Sequence, residues 1–386
     1  MIRTLPVRRG AVAAIALGSA LALAAPLRAE ESLLQTNVEF SGTIAWLSTG
    51  APAFVIAAVR NGETAFAGFG ERAEGTGQAP EADTIMRIGS ISKAFCGETL
   101  ASMAAGGEVA LTDRLQDRLD WDVTVPEMDG RPIRLIDLVT HAAGLPREVP
   151  RPEAPEDDPF ATNTPEAQIA GLAADPLLFV PGTGASYSNW GFDLLGAALA
   201  STAGKPYADL LAERVLAPLG MNDTLFNPRP EDRDRLMQGH NFDGAPMPFA
   251  PTPVSIECAG GLYTTAADMM RWMQWHLDRP AAAEEEMRLI DHAAWLYRDG
   301  LVPAAGFDEG GGEMDALGLG WVVMMPEGNR PLILQKTGGL QGMFAYVALA
   351  PSRDMGVFVA INQFSTSGFS VMVKTALDLI TTHSPR

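Results

Sequence analysis

Three short clusters in this chain bring together a nucleophile, amines and proton-transfer groups. The first is Ser90-Ile91-Ser92-Lys93, in "MRIGSISKAF". Three residues is nearly one helical turn, so the Ser90 hydroxyl and the Lys93 amine would share a face. An amine beside a hydroxyl can take its proton during attack on a carbonyl, provided its own pKa is lowered. A guanidinium stays charged and cannot. Of 28 basic residues only Lys93, Lys205, Lys336 and Lys374 are lysines, and only Lys93 has a serine three residues before it. The second cluster is Tyr187-Ser188-Asn189, in "GASYSNWGFDLLG". A tyrosine near cations can ionise or relay protons, and an asparagine can donate to a substrate amide. The third is Lys336-Thr337-Gly338-Gly339, after "LILQ". A lysine and a threonine on a strand edge can hold a carboxylate, and the glycines let a substrate approach the backbone.

These clusters need different supports. "SKAFCGETLASMAAGG" reads as a helix carrying Lys93, and Tyr187 precedes a second helix. "APAFVIAAVRNGETAFAGFGER" reads as a hairpin, with Asn61-Gly62 as a type I′ turn. Near the end, "LGLGWVVMM", "RPLILQKTGG" and "MFAYVALAPSRDMGVFVAINQ" supply four further strand-like runs, and a final helix is expected at Phe369–Thr381. "IRLIDLVTHAAGL" and "YADLLAERVLAPLG" carry helical spacing in the middle of the chain, and Glu284–Glu286 reads as a helix start. The fold class is therefore α/β (α+β): an antiparallel sheet built from both termini and flanked by helices, with an inserted all-helical domain. The expected division is 1–29 as signal peptide, 30–113 and 256–386 as the sheet domain, and 114–255 as the inserted helical domain. A cleft between the two parts is the expected site.

The bulk composition narrows the function classes. With 386 residues and 47% hydrophobic content, the chain can bury a large core. A net charge of −19 argues against nucleic acid and against docking by charge to an anionic membrane. Arg3, Arg8 and Arg9 precede an apolar stretch, Ala11–Leu23, and small residues follow, which is the pattern of an export signal cleaved after Ala29. Ala22-Leu23-Ala24 offers a second cleavage site, and the Arg8-Arg9 pair raises twin-arginine export. No later run approaches the length of a membrane span, so the processed protein is expected to be soluble and periplasmic. The five histidines show no metal-binding spacing, so no metal and no cofactor are expected. Cys96 and Cys258 form either a bridge or two buried thiols.

The S-x-x-K and K-T-G pair is a known signature of serine β-lactamases and penicillin-binding proteins. With Y-x-N between them, the chain resembles that superfamily in its class C-like branch. "IRLIDLVTHAAGLP", "PGTGASYSNWGFDLLG" and "LAPLGMNDTLF" carry the likeness. "HAAGLPRE", "GLYTTAADMMRWMQWHL", "DALGLGWVVM" and "LQKTGG" bring it closer to the AmpH-type D-alanyl-D-alanine carboxypeptidase/endopeptidases. The resemblance implies Ser90 as acylated nucleophile, Lys93 as its proton-exchange partner and Tyr187 as general base or relay. It implies Asn189 as amide donor, Lys336 and Thr337 as carboxylate binders, and the N–H groups of Ser90 and Gly339 as the oxyanion hole, with Gly338 beside them. His141 falls in a family stretch and is read as structural. Gly339 stands where class C enzymes often carry a serine; it keeps the N–H but removes a hydroxyl, a departure that puts efficient β-lactam turnover in doubt. The implied substrates are peptidoglycan stem peptides, with β-lactams as covalent ligands. A β-lactamase, an esterase or amidase of the same fold, and a non-catalytic penicillin-binding sensor are the competing readings.

Overall fold

The first and the last long strands of the chain pair side by side in one eight-stranded sheet. Strand β1 (Ala53–Arg60) pairs with β2 (Glu63–Gly70) on one side and with the last strand on the other, Phe54 opposite Ile361. The remaining strands of this sheet are β3 (Leu296–Tyr297), β4 (Ala316–Leu317), β5 (Val322–Met324), β6 (Ile333–Leu340), β7 (Met343–Ala350) and β8 (Met355–Ile361). Their order is β2-β1-β8-β7-β6-β5-β4-β3, and every pairing is antiparallel. This computed structural model describes Met1 and residues 32–383, apart from 156–157, 175–176, 279, 283 and 308–309. Beyond Met1, the expected signal peptide and its cleavage sites lie outside the described residues. Leu33 to the C-terminus forms one compact unit.

The sequence of β1, "AFVIAAVR", is apolar at both parities because both faces of the sheet are covered. Phe54, Ile56 and Ala58 pack in a cluster with α1 (Leu33–Thr49) and the last helix, Thr366–His383. Val55, Ala57 and Val59 face the opposite way, into a larger cluster with α2 (Ser92–Ala105) and the central helices. Those include α3 (Asn189–Ala203) and α4 (Ala266–Leu277), with α5 (Glu285–His292) beside them and the C-terminal helix as α6. The β1–β2 hairpin turns at Asn61 and Gly62, with φ of 49° and 76°, as the Asn-Gly pair predicts.

The expected elements differ in three places. "LGLGWVVMM" is two short strands, β4 and β5, because Gly320 bends the chain into positive φ against α2; a Cβ there would lie 2.2 Å from the Lys93 carbonyl oxygen. The helix expected in "IRLIDLVTHAAGL" spans only Leu135–Val139, and His141 then adopts a positive φ of 59°. The start of "YADLLAERVLAPLG" is α-helical over Tyr207–Leu211 and widens into a π turn over Ala212–Leu216.

Candidate active site

The turn carrying Ser90 is pressed directly onto strand β6. Gly89 has φ +49°, and a Cβ on it would lie 2.7 Å from the Gly339 nitrogen. A Cβ on Gly338 would lie 1.8 Å from the Ile88 carbonyl oxygen and 3.1 Å from the Ser90 nitrogen. Backbone meets backbone here, and only glycine permits it. β5 pairs with β6 only over Ile333–Gln335, whereas β7 accompanies β6 to Leu340. Residues 336–340 thus carry Lys336, Thr337, Gly338 and Gly339 past the end of β5 to the Ser90 turn.

From Ser92 to Ala101, α2 is buried throughout, and Lys93 is fully buried. Ser92 fixes the turn by donating to the Gly89 carbonyl at 2.8 Å and accepting from the Leu262 N–H at 3.1 Å. Lys93 Nζ donates to Ser90 Oγ at 3.2 Å, Asn189 Oδ1 at 2.7 Å and the Ala259 carbonyl at 2.5 Å. Burial pushes its amine down to about 7; Asp193 and then Glu148 oppose that, and Arg147 adds to it. A buried amine near neutrality can exchange a proton with a hydroxyl.

Tyr187 sits just before α3. The next residue, Ser188, caps that helix: its Oγ accepts from the Gly191 N–H at 2.9 Å, and its own N–H donates to His141 Nδ1 at 3.0 Å. The His141 ring stacks on Tyr187 at 4.4 Å. Burial, with Lys336 and Lys93 nearby, holds His141 well below the usual imidazole range, so it stays neutral as the acceptor the Ser188 N–H requires. The Tyr187 ring lies 5.0 Å from Lys93 Nζ, 5.0 Å from Lys336 Nζ and 4.9 Å from the Arg147 guanidinium. Lys336 is buried and its amine is lowered, chiefly by that burial.

Ser90 lines two cavities. One, of about 600 Å³, is walled by Tyr187, Lys336, Thr337, Gly338 and Gly339. The other, of about 260 Å³, is walled by Glu148, Asn189, Asp193 and Gly339. All eight sequence-derived site residues therefore meet around one serine. Asn189 is turned inward: its Oδ1 is on Lys93 and its Nδ2 donates to Glu148. A substrate would exchange places with Glu148 to use that Nδ2. The sequence reading missed Arg147, Glu148 and Asp193. The first two directly follow "HAAGLP", and Asp193 lies one helical turn beyond Asn189. The disulfide partner Cys258, bonded to Cys96 with Cα atoms 5.4 Å apart, adjoins Ala259 and its Lys93-binding carbonyl.

The β-lactamase family profile matches residues 28–381. The chain belongs to the β-lactamase family. Within that family of hydrolases it is 37% identical over 338 residues to the D-alanyl-D-alanine-carboxypeptidase/endopeptidase AmpH of Escherichia coli K12, covering 86% of this chain and 85% of the relative. A β-lactamase of Pseudomonas fluorescens is 26% identical, over 80% of this chain and 87% of its own. Among solved structures, a β-lactamase/D-alanine carboxypeptidase from Yersinia pestis complexed with citrate superposes with a TM-score of 0.81 at 34% identity, covering 90% of this chain and 98% of its own. A class C β-lactamase gives a TM-score of 0.73 at 20% identity over 90% of this chain and 97% of its own, a likeness of fold. The family resemblance and the antiparallel sheet flanked by helices agree with the sequence reading. No helix among the described residues is long and apolar enough to cross a membrane.

Proposed function

We propose that the protein is an exported, periplasmic serine DD-peptidase acting on peptidoglycan stem peptides through an acyl-enzyme. The observation that carries this reading is the Ser90 Oγ–Lys93 Nζ pair, 3.2 Å apart, with the amine near neutrality. Ser90 Oγ attacks the penultimate D-Ala carbonyl and its proton passes to Lys93. The N–H groups of Ser90 and Gly339 hold the oxyanion. Tyr187, ringed by cations, relays the proton to the leaving D-Ala nitrogen, and water then hydrolyses the ester. Lys336 and Thr337 bind the terminal carboxylate. A helical insert over 114–255 forms the wall that carries Tyr187 and Asn189. Processing after Ala29 removes the export signal.

A β-lactam presents a similar carboxylate and would acylate the same serine, so binding alone does not separate a peptidase from a β-lactamase. Deacylation does. D-Ala departs and opens its side of the ester to water, whereas a β-lactam leaving group stays tethered there. The 37% identity to a protein named as carboxypeptidase/endopeptidase supports the peptidase reading. The test measures D-Ala release from a muropeptide pentapeptide and cephalosporin hydrolysis on one preparation, with Ser90→Ala as control. D-Ala release, cleavage of D-Ala cross-links and slow cephalosporin turnover are expected. Rapid cephalosporin hydrolysis without D-Ala release would make it a β-lactamase instead.

A further inference from the structure

Asp193 is a buried carboxyl group that the proposed reaction has not used. It lies four residues after Asn189 on α3, so the two side chains share a helical face. That face meets Lys93, whose Nζ donates to Asn189 Oδ1 at 2.7 Å. Asp193 is 5% exposed. Its Oδ2 accepts from Asn163 Nδ2 at 3.1 Å, and Asn163 Oδ1 accepts from Gln168 Nε2 at 3.2 Å. Ser255 fixes the far end by donating to the Asn163 carbonyl at 2.5 Å. The other carboxyl oxygen, Oδ1, has no hydrogen-bond partner among the described residues. Asp193 lines the small cavity that holds Ser90 and Asn189, and also a chamber of about 390 Å³ behind it. A side chain held from one edge, with an unpaired oxygen and a fully buried amine nearby, is not a packing element. A buried charge needs an opposite one.

We propose that Asp193 is a positioning residue for proton transfer: its carboxylate is the counter-charge that lets Lys93 hold the proton taken from Ser90. This rests on the serine–lysine reading above. As the Oγ–carbon bond forms, the Ser90 proton moves to the neutral Lys93 amine, which becomes an ammonium beside Asn189 Oδ1 and the Ala259 carbonyl. Asp193 neutralises that ammonium without touching substrate. The proton then leaves for the departing nitrogen, directly or through Tyr187, as the carbon–nitrogen bond breaks, and Lys93 is neutral again.

The charges facing Lys93 are few. Asp193 and Glu148 favour the ammonium and Arg147 opposes it; Lys336, whose amine Lys93 lowers, lies like Lys93 5.0 Å from the Tyr187 ring. The Phe192 ring lies 5.3 Å from the same Nζ. Burial raises the Asp193 carboxyl well above the usual range and Glu148 adds to that; Asn163, Lys93 and Arg151 favour the carboxylate, so its charge is held chiefly while Lys93 is an ammonium. Replacing Asp193 by a neutral residue lowers the Lys93 pKa further. The acid limb of acylation, where the amine becomes protonated, then moves to lower pH.

Acylation by a fluorescent penicillin, followed against pH, tests this with the parent protein, D193N and N163A. D193N should acylate on the order of tenfold more slowly at neutral pH, with the acid limb shifted down by about one unit. N163A removes the donor that favours the carboxylate, so its limb should move the same way by less. Melting temperatures report folding, and if D193N fails to fold the N163A limb decides. A labelled parent with an unmoved acid limb in the folded variants overturns the inference alone, even if their rates fall. No label at Ser90 in the parent overturns the serine–lysine reading and this inference with it.

Discussion

Lys93 Nζ stands 3.2 Å from Ser90 Oγ, and no carboxylate among the described residues pairs with it at salt-bridge distance. Its hydrogen-bond acceptors are the serine, an asparagine oxygen and a main-chain carbonyl, all uncharged. That setting suits an amine which must lose its proton. Lys93→Arg should therefore acylate with penicillin at least roughly 10²-fold more slowly, the low end of a general-base effect. Lys336→Arg should lose less, because a guanidinium also binds carboxylates. Mass spectrometry of the labelled peptide should place the adduct on Ser90. Parent-rate acylation of the Lys93→Arg protein would remove the lysine from the mechanism.

The approach of Gly338 to Ile88 gives a second outcome. An added methyl would overlap a main-chain oxygen that cannot rotate away. Gly338→Ala should lose about 1–3 kcal/mol of stability through overpacking and displace the Ser90 turn, with loss of acylation. A Cβ on Gly339 meets instead the Phe344 ring at 2.8 Å, and a ring can shift. Gly339→Ser should stay folded and acylate, and it isolates the effect of the missing hydroxyl on cephalosporin turnover. Equal melting temperatures for the parent and Gly338→Ala would contradict the first half.

Much of this site was legible because its parts lie in short local motifs. Ser90 and Lys93 share one helical turn, and Lys336 to Gly339 form one strand end. Partners from other segments were not legible. Glu148 reaches Asn189 only because the Arg147 carbonyl receives the N–H groups of Asn189 and Trp190 at the start of α3. The role of His141 depends on a positive φ that no periodicity encodes. Helix α1 was hidden for a different reason. Leu34, Val38 and Ala45 form its buried face, but Leu33, Phe40, Ile44 and Leu47 are exposed, so apolar residues on both sides erase the amphipathic period. The hairpin at Asn61-Gly62 was readable from its turn chemistry alone.

The Cys96–Cys258 bond ties α2 to the segment that supplies the Ala259 carbonyl, across a separation of 162 residues. Constraining so long a loop in the unfolded chain stabilises by roughly 2–5 kcal/mol. Thiol titration of denatured, unreduced protein should find no free thiol. Reduction should lower the melting temperature and, by loosening Ala259, also slow acylation. Two titratable thiols in the unreduced protein would contradict the bond.

The last prediction concerns a buried cluster away from Ser90. His276 Nδ1 lies 2.9 Å from His292 Nε2, and Asp291 Oδ2 lies 3.8 Å from each of those atoms. Trp321 Nε1 donates to the same Asp291 oxygen at 3.2 Å, and Glu98 Oε2 lies 3.8 Å from His276 Nε2. Burial raises the Asp291 carboxyl from 3.8 to about 8 and lowers His292 from 6.5 to about 4. The two act on stability with opposite signs. The raised carboxyl contributes stability that is full below pH 4 and is lost as pH rises through 8. The depressed imidazole contributes stability that is full above pH 6.5 and is lost as pH falls through 4. Between pH 4 and 6.5 these slopes oppose each other; from 6.5 to 8 only the carboxyl slope remains. Asp291→Asn keeps an acceptor for Trp321 and removes that slope. Relative to the parent, the variant should gain on the order of 2 kcal/mol between pH 6.5 and 8, at 1.36 kcal/mol per proton and pH unit. Below pH 6.5 the lowered histidines, opposed in the variant by the raised Glu98 carboxyl but no longer by Asp291, should make it fall faster than the parent on acidification. Thermal unfolding of both proteins at pH 5, 6.5 and 8 measures this, and parallel curves would show that Asp291 is already ionised in the folded protein.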